Sequence, residues 1–525
     1  MRQRIYVAFD EAVVNINKKL NVDALKRGGN MSKYSITYDF GTGSVKGAVI
    51  NANHEPVATA TEPYPMYSPE PGFAEQKVED YLSSFKKVTK RLLLQANLSG
   101  EDIKGIVISQ TSSSLLFADE KGNYLCDCVT WLDSRAGEQA NTLNERTGID
   151  GMATSKRVSA KILWFLEKRP RVVSKAKYLL DVAAYFYLKL TGTTAFDLTA
   201  AFATGLIFPI SKEWNEYIVE MVGVDPALLP ERILDSFEVV GYTSTDYASD
   251  VGFAPGTPVF AGCSDNANGH LGTGCIHPGD AHIYMGSSGW LSVTTSLDDE
   301  SFSFTQLPSA IPGLGYEYFC TDSVGTTIEY LIREFYRDVS DNKDIHALIE
   351  EEVRSIEDDE QEVLFLPYLF GEEAPIDDPN VRATLLNVDP SVTRAHIMRA
   401  AMEGIACNFR WIKENLKEQG MWDVNFIRAI GGAAQSDVHL QIVADVMDEP
   451  ITRLANMRFA GNIGLSMCID IGLGEAEDFS ALGKFIREDK TFRPRKKFRK
   501  RYDRLFEYYK RSYEALKDLY TDMNG

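Results

Sequence analysis

Nowhere in the sequence do 18 or more apolar residues follow one another. The nearest approach, Leu179 to Leu190, is broken by Asp181 and Lys189. That excludes a membrane-spanning helix of ordinary length and leads to the expectation of a soluble protein. Positive charge is in deficit: 55 Lys and Arg stand against 75 Asp and Glu, a net charge of −20 over 525 residues. Nucleic-acid binders show a basic patch or stripe, and surfaces that cling to anionic membranes need cations, so both partner classes are excluded. Cysteine is scarce. The seven residues (Cys126, Cys128, Cys263, Cys275, Cys320, Cys407, Cys468) are odd in number and lack framework spacing. They read as reduced thiols of a cytoplasmic protein. An export signal is missing too, because Asp10, Glu11, Asn15 and Lys18 interrupt any apolar stretch near the start.

What remains is an ordinary globular composition, 44% hydrophobic and 25% charged, long enough for about two to four domains of roughly 150 residues. Residues 1–30 are polar and end at Gly28-Gly29-Asn30. From there Tyr34 to Phe40, Ser44 to Ile50 and Pro56 to Glu62 read as strands separated by tight turns. Val78, Leu82, Phe85, Val88 and Leu92 recur at helical spacing, and Ile103 to Ser109 returns as a strand. The same order is expected once more: strands Ala281 to Met285, Trp290 to Thr294 and Tyr316 to Cys320, a helix from Thr326 to Val339, and a strand from Val363 to Leu369. Two α/β domains of about 245 residues follow, with a cleft expected between them and the boundary at the turn dipeptide Pro278-Gly279.

Three glycine turns carry most of the chemical promise. In YDFGTGSVKG, Tyr38 to Gly47, small residues let backbone N–H groups approach an anion and Lys46 adds a point charge. Asp39 at the strand end is suited to a Mg²⁺ ion, held through water. A Walker A loop is absent, since no Gly-x₄-Gly-Lys-Ser/Thr occurs; a plain glycine hairpin with a solvated lysine is the competing reading. Gly286-Ser287-Ser288-Gly289 holds the equivalent place in the second repeat. Gly431 to Ser436, GGAAQS, follows the strand Phe426 to Ile430 and opens a helix near Asp437, a suitable seat for a phosphate or a flat base. Asp265 follows the strand Pro258 to Ala261 among small residues. It is placed either as a general base or as a cap for the helix behind it. Cys263, His270, Cys275, His277 and His282 crowd together, but without CxxC or HxxxH pairs no zinc site is expected. Cys126 and Cys128 read as structural thiols on one strand face. No local Ser-His-Asp or Cys-His pairing can be assembled.

Together these residues resemble the FGGY carbohydrate kinases, within the actin-like ATPase superfamily, over about Tyr34 to Tyr520. The motifs stand in that family's order: DFGTGSVK at 39–46, PGFAEQ at 71–76, Trp131-Leu132-Asp133-Ser134-Arg135, Lys161-Ile162-Leu163-Trp164, SDNANGHLGTG at 264–274, GSSG at 286–289, PYLFGEEAP from Pro367 to Pro375, and GGAAQS at 431–436. A second signature runs from Ala383 to Glu403. The overall texture is most similar to the xylulokinase branch. That branch usually carries Met-His where this chain has Thr111-Ser112, and glycerol kinases carry Arg-Glu there. Asn387 and Val158 are further departures, Asn387 standing where a Gly is usual.

The resemblance implies two ribonuclease H-like domains with an interdomain active-site cleft: an extension over 1–30, a sugar-binding domain over 31–277, and a nucleotide-binding domain over 278–525. It implies ATP and Mg²⁺ as cofactors, a small sugar or polyol as substrate, and a homodimer among the expected assemblies. Asp265 would be the catalytic base and Asp39 would sit by Mg²⁺. Thr42, Gly43 and Lys46 would surround the β- and γ-phosphates, and Gly286, Ser287 and Gly325 would line the phosphate and ribose path. Gly432 and Ser436 would contact the nucleoside. Gln110, Thr111, Ser112, Trp131, Asp265 and Asn266 would face the sugar. D-Xylulose is the expected substrate; gluconate, another ketose or a sugar alcohol is the alternative. A catalytically inactive nucleotide-dependent binding protein is the alternative of a different class, against which the presence of both Asp39 and Asp265 speaks. A filament-forming role has no support in the sequence.

Overall fold

A computed structural model describes residues 33–148, 152–207, 212–297, 306–339, 344–358 and 361–525. The expected extension, residues 1–30, and Met31 lie outside the described residues. The chain forms two compact units. Unit 1 comprises the chain up to Gly272 with Pro308–Gly313 and Gly461–Phe485; unit 2 comprises Thr273–Leu307, Leu314–Ala460 and Ile486–Gly525.

Unit 1 is built on six strands: β1 (Tyr34–Phe40), β2 (Ser44–Ile50), β3 (Pro56–Pro63), β4 (Ile103–Gln110), β5 (Val239–Tyr242) and β6 (Pro258–Phe260), in the order β5-β6-β4-β1-β2-β3. β1, β2 and β3 form an antiparallel meander, whereas β4 and β6 run parallel to β1. Parallel strands buried on both faces should read as apolar runs, and every residue of β4 is buried. Helix α1 (Val78–Ala96) lays Val78, Tyr81, Phe85, Val88 and Leu92 on the sheet and ends at Asn97 in a left-handed conformation, φ 54°. Phe85 meets Tyr38 and Phe186 at centroid separations of 4.4 and 4.6 Å, which gives the unit an aromatic core. Phe186 comes from α2 (Val182–Thr191), capped by the Asp181 carboxylate. Helices α3 (Leu198–Ala203) and α4 (Asp265–Gly272) complete the elements that bear on the site.

Among the described residues the main sheet of unit 2 has seven strands: β7 (Asp280–Met285), β8 (Gly289–Ser296), β9 (Gln306–Pro308), β10 (Leu314–Thr321), β11 (Phe426–Ile430), β12 (Ile451–Leu454) and β13 (Glu488–Phe492), ordered β9-β10-β8-β7-β11-β12-β13. Again a first strand pairs antiparallel with the second, and parallel strands extend the sheet on its other side. The duplication expected from the pattern of elements is thus present, with one correction. Val363 to Leu369 does not supply the parallel strand: Leu364–Leu366 forms a separate hairpin with Thr384–Leu386, and β11 takes the central place. A short apolar run cannot by itself specify its partner, so periodicity could not separate the two cases. The expected helix from Thr326 is α5 (Gly325–Phe335), followed by a 3₁₀ turn at Arg337–Val339. Helices α6 (Arg394–Glu418) and α7 (Asp437–Met447) pack in the core of this unit, where α8 (Arg499–Asn524) contributes Tyr502, Leu505, Phe506 and Tyr509. Asn387 has φ 62°, a region that Gly or Asn enters at least cost, and its Nδ2 donates to the Glu362 carbonyl at 2.6 Å.

The chain crosses between the units more than once, whereas the sequence reading expects one crossing at Pro278-Gly279. Residues 461–485 belong with unit 1 for a packing reason. Ile469 and Phe260 sit so close over Gly105 that a Cβ there would come within 2.8 Å of either. Asn462 Nδ2 donates to Thr37 Oγ1 at 3.1 Å, and Lys104 Nζ donates to Asp470 at 2.6 Å. Among the described residues no helix is long and apolar enough to cross a membrane.

Candidate active site

The first hairpin of unit 1 is held by groups distant in sequence. Tyr64 donates its hydroxyl to the Gly41 carbonyl at 2.5 Å and its N–H to the Gly43 carbonyl at 3.1 Å. Gln76 Nε2 donates to the Thr42 carbonyl at 2.6 Å, and Trp131 Nε1 donates to Thr42 Oγ1 at 3.0 Å. The loop carbonyls therefore face protein donors, while among the described residues the amides of Thr42 and Gly43 have no protein acceptor. A loop with its carbonyls occupied and its N–H groups open is suited to an anion. Gly43 is exposed, and a Cβ added there would meet nothing within 4 Å.

Beside the loop, Lys46 Nζ lies 3.4 Å from Asp39 Oδ2. The other oxygen, Asp39 Oδ1, is buried and has no hydrogen-bond partner. An orphaned carboxylate oxygen next to an anion loop fits a hard divalent cation, which takes oxygen ligands.

Asp265 begins α4, where the Ser264 carbonyl already accepts the N–H of Asn268 at 2.8 Å. Its carboxylate satisfies one first-turn amide of the helix and one amide from another segment. Oδ1 accepts from Ser112 N at 3.1 Å and from Asn266 N at 3.0 Å, and Oδ2 carries no protein hydrogen bond among the described residues. Burial first, and then the nearby charge of Asp39, lift the carboxyl to about 7. A carboxylate near neutrality with one oxygen fixed and one open is suited to general-base work.

The residues expected to face a sugar divide. Ser112, Trp131 and Asn266 are partly open, whereas Gln110 and Thr111 are buried. Gln110 Oε1 accepts from Ala183 N at 3.1 Å and from Ser114 Oγ at 3.0 Å, so its amide holds the start of α2. Ser113 adopts φ 62°, which turns the chain sharply just beyond Ser112.

Two motifs of the sequence converge on the segment around Trp131, at Thr130 and Arg135. Arg135 donates to Asp133 and, at 2.6 Å, to Glu75 of PGFAEQ. Its guanidinium lies 3.7 Å from the ring centroid of Phe73. Lys161, fully buried, donates to the Thr130 carbonyl at 2.7 Å, and burial pulls its ammonium down to about 7. From the sequence these motifs carry the family resemblance, but Gln76 and Lys161 have no expected role. A lysine among apolar residues at helical spacing was the available signal.

In unit 2 the exposed Ser287 tips the second hairpin. The start of α5 docks on that loop: Gly325 N donates to the Gly286 carbonyl at 2.8 Å, and Val324 N and Thr326 N donate to the Ser287 carbonyl at 3.0 and 3.1 Å. A Cβ on Gly325 would fall 2.5 Å from the Gly286 oxygen, so only glycine fits. Gly432 is exposed with open space around it, whereas Ser436 caps α7, its Oγ accepting from His439 N at 3.2 Å. His282 receives the Trp290 indole N–H at 2.9 Å on Nε2, and its Nδ1 lies 2.8 Å from Ser292 Oγ. Burial holds it near 3, a neutral structural imidazole.

Comparisons with known proteins identify the family. Residues 34–272 match the N-terminal domain, and residues 282–468 the C-terminal domain, of the FGGY family of carbohydrate kinases. The chain is similar to a xylulose kinase of Bacillus subtilis, 29% identical over 94% of this chain and 99% of that protein. It is also similar to a gluconokinase of the same organism, 27% identical over 94% and 98%. Among solved structures, a xylulose kinase from Rhodospirillum rubrum shares the fold with a TM-score of 0.82 at 23% identity, covering 93% of this chain and all of that one. An anion loop, a carboxylate poised near neutrality and two matched domain models lead to one conclusion: the chain belongs to the FGGY family of carbohydrate kinases and is a sugar kinase.

Proposed function

We propose that this kinase transfers the γ-phosphoryl group of ATP to a hydroxyl of D-xylulose, with Asp265 as general base. The observation that carries the reading is the Asp265 carboxylate, lifted to about 7 and held by Ser112 N–H on one oxygen only. Asp265 Oδ2 takes the proton of the substrate hydroxyl, the freed oxygen attacks the γ-phosphorus, and ADP departs with the electrons of the broken phosphoanhydride bond. The amides of Thr42 and Gly43, with Lys46, receive charge on the transferring group. Gly286, Ser287, Gly325, Gly432 and Ser436 of unit 2 serve the rest of the nucleotide, and Ser112, Trp131 and Asn266 the sugar. Asp39 would hold Mg²⁺, which supplies charge neutralisation on the phosphates.

The sugar rests on the xylulose kinases that lead the curated relatives. Thr111-Ser112 is the feature on which the choice turns. Coupled ADP release with Mg-ATP would be measured against D-xylulose, D-ribulose, L-ketoses, gluconate, glycerol, erythritol and other pentitols. D-Xylulose should give the highest kcat/KM. Gluconate or a pentitol in first place would overturn the sugar assignment and make Thr111-Ser112 the first pair to exchange. Asp265→Asn should lower kcat by about 10²- to 10⁴-fold while nucleotide affinity is retained. Undiminished turnover in that variant would remove Asp265 from the mechanism.

A further inference from the structure

We infer that Thr199, on α3, is a positioning residue for Asp265, acting through the Ser264 peptide as part of a relay anchored on Asp197. The inference rests on the reading of Asp265 as the base. Thr199, Asp197 and Ser264 are all buried. Ser264 N donates to Thr199 Oγ1 at 2.7 Å, and Thr199 Oγ1 donates to Asp197 Oδ1 at 2.5 Å. Asp197 Oδ1 also accepts the N–H groups of Thr199 and Ala200, each at 2.9 Å, as the cap of α3.

The chemistry of the hydroxyl fixes the direction of this chain. A threonine has one O–H proton and two lone pairs. A carboxylate can only accept, so it claims the proton and leaves a lone pair for Ser264 N–H. Burial raises Asp197 to about 6 against the pull of its own donors, so above that pH it is the required anion. Capping α3 needs only the carboxylate and the two amides. The bond from Ser264 to the Thr199 hydroxyl adds nothing to the cap; what it fixes is the Cys263–Ser264 peptide, through which the chain enters Asp265. From the other side the Asp265 carboxylate is fixed by Ser112 N, so the chain leading into the residue and the residue's side chain are held by two separate segments. Displacing a reacting group by an ångström costs about 10²-fold in rate, which makes such a clamp consequential for turnover.

Thr199→Val keeps the shape and removes the hydroxyl; Thr199→Ser keeps the hydroxyl and removes the methyl. At pH 8 and well below each variant's melting temperature, Thr199→Val should lower kcat about 10- to 100-fold, with KM for Mg-ATP changed less than about twofold. Thr199→Ser should stay within about threefold of the parent. Should the valine variant not fold, Thr199→Ala takes its place: it leaves the Asp197 cap of α3 intact and removes the hydroxyl, so a purely structural role predicts unchanged kcat and the clamp predicts a loss. The pair with Asp265→Asn separates the two readings. If Asp265 is the base, Thr199→Val adds nothing to the loss already caused by Asp265→Asn. Multiplying losses would show that Thr199 acts elsewhere and overturn the inference. Full activity of Asp265→Asn alone would instead overturn the base assignment. A folded Thr199→Val with parental kcat, or Thr199→Ser as impaired as valine, would also overturn the inference.

Discussion

In unit 1 the ladder position just outside the first hairpin carries Asp39 opposite Lys46, 3.4 Å apart. In unit 2 the position one step outside the hairpin's closing pair carries Tyr284 opposite Trp290, stacked at 3.9 Å with 15° between their planes. The backbone is duplicated and the chemistry is not. A strand ladder is made by main-chain groups, so it tolerates either pair. What the pair can do differs entirely. A carboxylate with an ammonium presents charge to a phosphate and a metal, whereas two rings present area and rigidity. Both hairpins keep their tips exposed, yet the groups proposed for catalysis belong to unit 1, and unit 2 uses its hairpin to dock the start of α5.

Substitutions at the two equivalent positions should therefore fail in different ways. Asp39→Asn should reduce kcat/KM by about 10²- to 10³-fold with little change in melting temperature. Trp290→Ala should leave kcat within a few-fold and lower the unfolding free energy by about 2–3 kcal/mol, below the full core value because the ring is half-buried. Loss of activity from both, at preserved stability, would break the comparison.

The glycines sharpen it next. Gly43→Ala meets no protein atom, so it should fold normally and raise KM for Mg-ATP by about tenfold, by occupying the space an anion needs. Gly325→Ala collides with the Gly286 carbonyl and should cost about 1–3 kcal/mol of stability. Thermal melts beside ATP titrations distinguish the two outcomes.

The smallest effect concerns pH. A base must be ionised, and the Asp265 pKa is raised, so kcat/KM should fall as pH drops below about 7, approaching tenfold per unit. Asp39's charge is the second cause of that shift. Asp39→Asn should move the midpoint of the residual activity to lower pH. An unmoved midpoint would mean that the limb belongs to another group. Glu372 of unit 2 is also pushed up, by burial and by Asp322, but it accepts from Asp322 N, Glu373 N and Asn408 Nδ2. Asp265 has an open oxygen, and Glu372 serves the fold.

Much of this was legible without coordinates. The glycine turns, the apolar runs of β1, β4 and β7 and the spacing along α1 are local patterns, and local patterns state their own conformation. Asp39 and Asp265 stand out as candidates as well, because a charged residue at or just beyond the end of an apolar strand has few other reasons to be there, and Lys46 does so by its place in the glycine hairpin. Pairing was not. Val363 to Leu369 and Phe426 to Ile430 look alike as strands, and only the competition for the place beside β7 decides between them.

The sequence by itself determined two α/β repeats, their hairpins and the residue types available for phosphoryl transfer, since these depend on periodicity and on the chemistry of single side chains. Only the tertiary structure decided that Gln110 holds a helix, that Gln76 and Trp131 brace Thr42, that residues 461–485 return to unit 1, and that Thr199 meets Ser264. Each of these is a contact between segments tens to hundreds of residues apart. Such contacts follow from how whole surfaces pack, and no window of sequence contains both partners.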